Sequence, residues 1–275
     1  MSFGLLFVIA IAAGLLGSMS GIGGGILLIP TLTFFGIDIK QAIAISNIAA
    51  IAISTSSASG FVRRHMPNLN ASAFLEVFAV VGALIGAAMT VVSGRRPLFF
   101  LCGGTLLIWG LVLWRQQRSG WKPVVQQDPF SKSLGLEGSY YDYAEGRTIA
   151  YRGSRASLAA LLMLGTSFTT GLLGIGGSAL AVLIHEGIMG LPTKVSLTTS
   201  NLIIGVMALA GANVYLEAGL INPYLAAPII LGVPLGALVG SKLLVHIRNR
   251  VARAIFLTLL VALGIELIIS GFRGL

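Results

Sequence analysis

Charge is what this 275-residue sequence has least of: 10% of its residues are Asp, Glu, Lys or Arg, against roughly a quarter in an ordinary soluble domain, while 56% are hydrophobic. A water-soluble core cannot absorb that much apolar surface. Charge-poor apolar runs of about 15 to 25 residues recur from end to end, and in lipid every backbone N–H and C=O along them must be satisfied internally. Strict alternation is also missing. Segments such as Ile255 to Ile269 carry apolar residues on every side rather than at every second position, which excludes the polar-in strands of a β-barrel. Cys102 is the single cysteine and sits inside an apolar run, so an intrachain disulfide and any Cys-based zinc or redox motif are excluded. No Walker loop or Rossmann glycine pattern occurs, and His65, His185 and His246 lack zinc-ligand spacing, so no cofactor, metal or catalytic group is expected. Met1 to Gly14 is apolar without the basic stretch of a cleaved signal peptide and reads as a retained span. These exclusions leave an all-α polytopic membrane protein.

The apolar segments fall into two sets of five. The first is Phe3 to Gly17, Ile22 to Phe35, Ala42 to Val62, Ala71 to Val92 and Leu98 to Trp114. The second is Leu158 to Leu173, Ile175 to Met189, Val195 to Leu216, Pro223 to Val245 and Ala254 to Ile269. Between them Arg115 to Arg155 holds four of the nine acidic residues, Pro123, Pro129, Tyr140, Tyr141 and Tyr143, and reads as a soluble linker. The division is therefore a first transmembrane repeat over 1–114, a linker over 115–155 and a second repeat over 156–275.

The sets align at a nearly constant offset. Gly21-Ile22-Gly23-Gly24 matches Gly174-Ile175-Gly176-Gly177, Lys40 matches Lys194, and Ser46-Asn47 matches Ser200-Asn201. Gly82-Ala83-Leu84-Ile85-Gly86 matches Gly236-Ala237-Leu238-Val239-Gly240 and Arg96 matches Arg250, with a one-residue shift only near the glycine motif. An ordered series at one offset indicates an internal duplication.

Net charge is +9, but the basic residues lie between apolar segments rather than on one face, so they report orientation and not nucleic acid. If each half crosses an odd number of times, 14 of the 18 Lys and Arg fall on the linker side and only Lys40, Arg95, Arg96 and Arg273 on the other. By the positive-inside rule the linker is then cytoplasmic and both termini outside, in a multi-pass protein of a bacterial-type inner membrane. An odd number of spans also inverts one repeat relative to the other, the plan of many secondary transporters.

In each half the first two segments are short, about 14 to 17 residues where a span needs about 20, and they meet at a Gly-rich turn. Irregular backbone at membrane depth is tolerated only where it is buried in protein or lines a wet cavity. The helix restarting after the turn points unpaired N–H groups and its positive dipole end at it, which suits an anion. Substrate-binding residues are accordingly expected at Ser20, Gly21, Gly23, Gly24, Gly25, Gly174, Gly176, Gly177 and Ser178, and at Ser46, Asn47, Thr199, Ser200 and Asn201 in the helices that follow. The competing readings are close helix packing for the glycines and interhelical bonds for the hydroxyls and amides. Glu76, Glu266 and the pair His185-Glu186 are the intramembrane ionisable candidates. An interfacial placement of His185-Glu186 is preferred over a proton relay. An intramembrane hydrolase built on Ser18-Met19-Ser20-Gly21 with His185 or His246 as base has only that run behind it.

The run Gly14-Leu15-Leu16-Gly17, Ser20-Gly21-Ile22-Gly23-Gly24-Gly25 and Pro30, repeated as Gly171-Leu172-Leu173-Gly174-Ile175-Gly176-Gly177 and joined by Thr199-Ser200, resembles the sulfite exporter TauE/SafE family. The resemblance covers nearly the whole chain except the linker, and Leu183 stands where the first repeat has Pro30. It implies a two-repeat exporter of sulfite or of an organosulfonate such as sulfoacetate, working by alternating access, with a proton or sodium as possible coupling ion. A channel or importer for another small anion is the alternative within transport.

Overall fold

The computed structural model describes residues 3–20, 25–116, 126–142, 146–174, 178–244, 261–262 and 264–273. The first half forms α1 (Phe3–Ser20), α2 (Gly25–Phe34), α3 (Ile39–Val62), α4 (Leu69–Val92) and α5 (Arg95–Gln116). A short α6 (Pro129–Ser133) and two strands, β1 (Glu137–Asp142) and β2 (Arg147–Arg152), separate it from α7 (Ala156–Leu173), α8 (Ser178–Leu183) with a π-helical turn at Ile184–Ile188, α9 (Thr193–Glu217) and α10 (Pro223–Leu244). Residues 264–273 are helical as well. Five of the described helices, α3, α4, α7, α9 and α10, are long and apolar enough to cross a membrane. Their outward faces fit that solvent: Val77, Val81, Leu84 and Ile85 on α4 and Ile230, Leu231, Leu235 and Val239 on α10 are exposed, an apolar surface that only hydrocarbon covers without cost.

Helix ends fall where the sequence supplies a stop or a cap. Beyond α3, His65 adopts a left-handed φ of 51°; α4 starts when the Asn68 side chain accepts from Ala71 N at 2.9 Å; α10 starts on Pro223. The opening helices of each half differ in length. α1 and α7 each have 18 residues, about 27 Å and nearly a full crossing, whereas α2 has 10 and spans only about 15 Å. The apolar run alone did not show how far α1 extends past Gly17.

The two halves are interleaved. α4 packs along α7, and α1 packs along α10. A Cβ on Gly82 would meet Leu164 O and, at 2.9 Å, Phe168 N; one on Gly86 would meet Phe168 O and, at 2.7 Å, Leu172 N. On the other side a Cβ on Gly236 would meet Ile11 O and, at 2.7 Å, Leu15 N, and one on Gly240 would meet Leu15 O and Ser18 Oγ. These are the matched Gly-x-x-x-Gly pairs of the sequence, and each lets two backbones touch. Position advances in the same sense along both partners, so α4 runs parallel to α7 and α1 parallel to α10. Between α3 and α9 the sense reverses, because Asn47 lies by Gly211, Ser54 by Gly205 and Ser57 by Asn201.

Basic residues collect at two ends of this bundle. Lys194 Nζ pairs with Asp142 Oδ1 at 2.6 Å, and Arg64 and Lys242 line one cavity of about 190 Å³ at the same end. At the opposite end Arg95 Nε pairs with Asp38 at 2.6 Å and Lys40 Nζ donates to Val91 O at 2.7 Å.

The linker is more than a tether. Leu136, Tyr140 and Tyr151 are buried in one cluster with Met189, Leu191 and Val195, so the β1–β2 hairpin closes over the end of α9 and the π-turn. Asn68 Nδ2 donates to Tyr151 Oη at 3.3 Å, and Ser154 N to Met189 O at 3.0 Å. Asp128 caps α6 through Ser131 N at 3.0 Å and accepts from Arg155 N at 2.6 Å; desolvation opposes them, but these bonds hold its carboxyl below the usual carboxylate range. Asp142, 6% exposed in its side chain, depends on Lys194. Lys194→Met should therefore loosen the hairpin, since a buried carboxylate without its cation is costly. The expected result is faster tryptic cleavage at Arg147 and Arg152 with the helices still intact; unchanged cleavage would show that the ion pair does not hold the hairpin.

Candidate functional site

The C-terminal end of α7 is where the chain solves its hardest local problem. The last four carbonyls of a helix have no partner within it, and lipid supplies none. Gly174, at φ +60°, turns the chain and donates its N–H to Thr170 O at 2.8 Å, a left-handed cap that glycine adopts freely. The next four carbonyls each take a hydrogen from a different helix. Tyr215 on α9 donates to Gly171 O, Thr90 on α4 to Leu172 O, Cys102 on α5 through sulfur to Leu173 O at 3.9 Å, and Ser46 on α3 to Gly174 O at 2.6 Å. The Tyr215 and Thr90 oxygens also stand 3.3 Å apart. This collar fixes the Gly174 turn against α3, where a Cβ would strike Ile43 O at 2.7 Å and Ser46 Oγ at 2.6 Å. It also satisfies the acceptors at that helix end. Neither Tyr215 nor Cys102 was among the expected site residues; a lone Tyr near the end of an apolar helix was the available signal.

The expected binding residues are placed as follows. Ser46 holds Gly174, while Asn47 Nδ2 donates to Ile43 O at 3.0 Å and its Oδ1 faces Gly211 of α9. Asn201 Nδ2 donates to Ser57 Oγ on α3. Thr199, fully buried, accepts from Asn68 N at 2.9 Å, so its hydroxyl oxygen is engaged in tying the start of α4 to α9. Asn47 and Ser57 lie ten residues apart on α3, about 15 Å along its axis, so these polar residues form two groups on either side of the α3–α9 crossing rather than one ring. Ser20 ends α1, Gly25 opens α2 and Ser178 opens α8. Gly21, Gly23, Gly24, Gly176 and Gly177 lie outside the described residues, as does His246.

His185 is wholly buried at 0% exposure, on the π-turn, with Nδ1 2.8 Å from Ser200 Oγ. Tertiary packing of the hairpin over Met189 and Leu191 removes it from the surface that its distance from a helix end suggested. Glu76 accepts from Ser72 Oγ at 2.8 Å and Glu266 from Ser270 Oγ at 2.9 Å. Glu76 borders a groove of about 520 Å³ with Ser54, Thr55 and Gly205. Among the described residues no three His, Cys, Asp or Glu side chains come together as a metal site.

A family model described as Sulfite exporter TauE/SafE matches residues 6–267 of this chain. The probable membrane transporter protein YunE of Bacillus subtilis (strain 168) is 25% identical over 281 residues, covering 98% of this chain and 99% of that protein. The probable membrane transporter protein YfcA of Escherichia coli (strain K12) is 31% identical over 107 residues, 37% of this chain and 39% of its own length. No solved structure matches the chain.

Proposed function

The chain belongs to the sulfite exporter TauE/SafE family and is thus a membrane transporter rather than an enzyme, and from that premise we propose that it exports a small oxyanion, sulfite or an organosulfonate such as sulfoacetate, by alternating access between two inverted repeats. One observation carries the anion reading. The collar on Gly171, Leu172, Leu173 and Gly174 occupies the carbonyls that a cation would use, while α2 and α8 restart at Gly25 and Ser178 with N–H groups that no helical partner satisfies. The parallel α1–α10 and α4–α7 pairs and the antiparallel α3–α9 crossing support the inverted arrangement, since equivalent helices of the two halves then run oppositely. The basic end, with Arg64, Lys194, Lys242 and the hairpin, is assigned to the cytoplasm, where it gathers anions.

The test is thermal stabilisation of detergent-purified protein by sulfite, sulfoacetate, taurine, sulfate, acetate and phosphate. A ligand at 100 times its dissociation constant stabilises by about 2.7 kcal/mol, so sulfite or sulfoacetate should raise the melting temperature and acetate should not. Gly174→Ala is expected to remove that response, because the left-handed turn resists a side chain and the new methyl strikes Ile43 O and Ser46 Oγ. A panel without any response would defeat the anion assignment; an undiminished sulfite response in the variant would remove the α7 turn from the site.

A further inference from the structure

The interval from the glycine motif to the matched lysine is one residue longer in the second repeat, Gly176 to Lys194, than in the first, Gly23 to Lys40. A π-turn is the conformation by which a helix absorbs an extra residue, and such turns concentrate at functional sites. The second repeat has one at Ile184–Ile188, directly after Leu183, the residue that replaces Pro30. The turn delivers His185 into the interior against Ser200 and the Ser196 backbone, while the ring's other nitrogen, Nε2, is buried with no hydrogen-bond partner among the described residues. α7 and α8, both packed on this turn, carry no ionisable side chain. On α9 the nearest is Lys194, held by Asp142, and Glu217 lies at the far end; on the turn itself Glu186 follows His185 in the chain. The β1–β2 hairpin over the turn carries Glu137, Arg147 and Arg152, all exposed, and Asp142, paired with Lys194, so among the described residues no fixed cation faces the imidazole and an anion arriving there would find no compensating charge.

We propose that His185 is the proton carrier of transport, taking up one proton as the anion loads and giving it up as the anion leaves. The inference rests on the export reading above. Loading forms one N–H bond on the ring and unloading breaks it, with water as the proton's source and destination on either side. The imidazolium donates Nδ1–H to Ser200 Oγ and Nε2–H to an anion oxygen, and its charge cancels that of a monoanion where neither charge alone is tolerated. Ser200 acts as a positioning residue: it fixes the ring so that Nε2 is the free vertex.

Vesicles reconstituted with the full chain and assayed with labelled sulfite test this, protein-free vesicles giving the background. Because the coupled step is reversible, in wild type a proton gradient directed inward should run the exporter backwards and drive sulfite accumulation above the exchange level, and His185→Gln should lose that accumulation. Ser200→Ala, which keeps the imidazole, should shift the pH at which sulfite exchange is half-maximal, and it decides the matter if His185→Gln does not fold. Gradient-driven accumulation persisting in His185→Gln, or a pH profile unmoved in Ser200→Ala, overturns the proposal. Wild-type exchange that ignores the gradient sinks this inference alone, whereas no wild-type exchange at all sinks the sulfite reading beneath it.

Discussion

Leucine in place of Gly86 or Gly240 is expected to leave no folded, monodisperse protein, while alanine at Gly165 should pass unnoticed. Gly165 has open space around its missing Cβ. At Gly86 the first added carbon meets the backbone of Phe168 and stands 2.7 Å from Leu172 N; at Gly240 it meets Leu15 O and Ser18 Oγ. Backbone in a hydrogen-bonded helix cannot rotate away as a side chain can, so the helices must separate. Overpacking commonly costs about 1–3 kcal/mol even where neighbours yield, and a protein's whole stability is about 5–15 kcal/mol. Alanine at Gly86 should thus cost a few kcal/mol, and leucine, with three further carbons driven into the α4–α7 seam, should exceed what the fold can bear. Size-exclusion profiles of the two leucine variants, set beside Gly165→Ala, check this. A monodisperse Gly86→Leu with a normal melting temperature would mean that α4 and α7 do not touch as described.

That seam was legible in advance only as repetition. Gly82 and Gly86 could be matched to Gly236 and Gly240 because small residues at fixed spacing survive as a pattern, and the distribution of Lys and Arg gave the two ends because charge is excluded from hydrocarbon wherever the chain folds. The partners were not legible. Nothing local to Gly86 names Phe168, since interleaving of the halves is decided by packing across more than eighty residues. The same holds for the site. Ser46 and Ser200 stood out as polar residues in apolar runs, but only the fold shows Ser46 bound to the Gly174 carbonyl and Ser200 to His185. The burial of His185 was not legible, because distance from a helix end says little about exposure when a hairpin such as Glu137 to Arg152 folds over that end. Its π-turn left a trace, the extra residue before Lys194, which becomes meaningful once the repeat is aligned through it.

The double change Tyr215→Phe with Thr90→Val should destabilise the protein by more than the sum of its parts. Each single change strips a hydrogen from one buried carbonyl, Gly171 O or Leu172 O, at a cost of about 1–3 kcal/mol, toward the low end where membrane helices find substitute partners. The two hydroxyls lie 3.3 Å apart, so in either single variant the survivor can swing toward the stranded carbonyl and recover part of the loss. With both gone no donor remains in reach, and the coupling energy of the cycle should be unfavourable. Cys102→Ala serves as the contrast, because a thiol at 3.9 Å is a weak donor and its loss should be nearly silent. Unfolding in mixed micelles measures the four stabilities. Sulfite protection reads the consequence for function: two bare carbonyls put negative partial charge beside the turn proposed to receive an anion, so the double variant should lose sulfite stabilisation at temperatures where it is still folded. If stability falls additively and sulfite protection is untouched, the collar is a helix cap and nothing more, and the electrostatic case for an anion at the α7 turn falls with it.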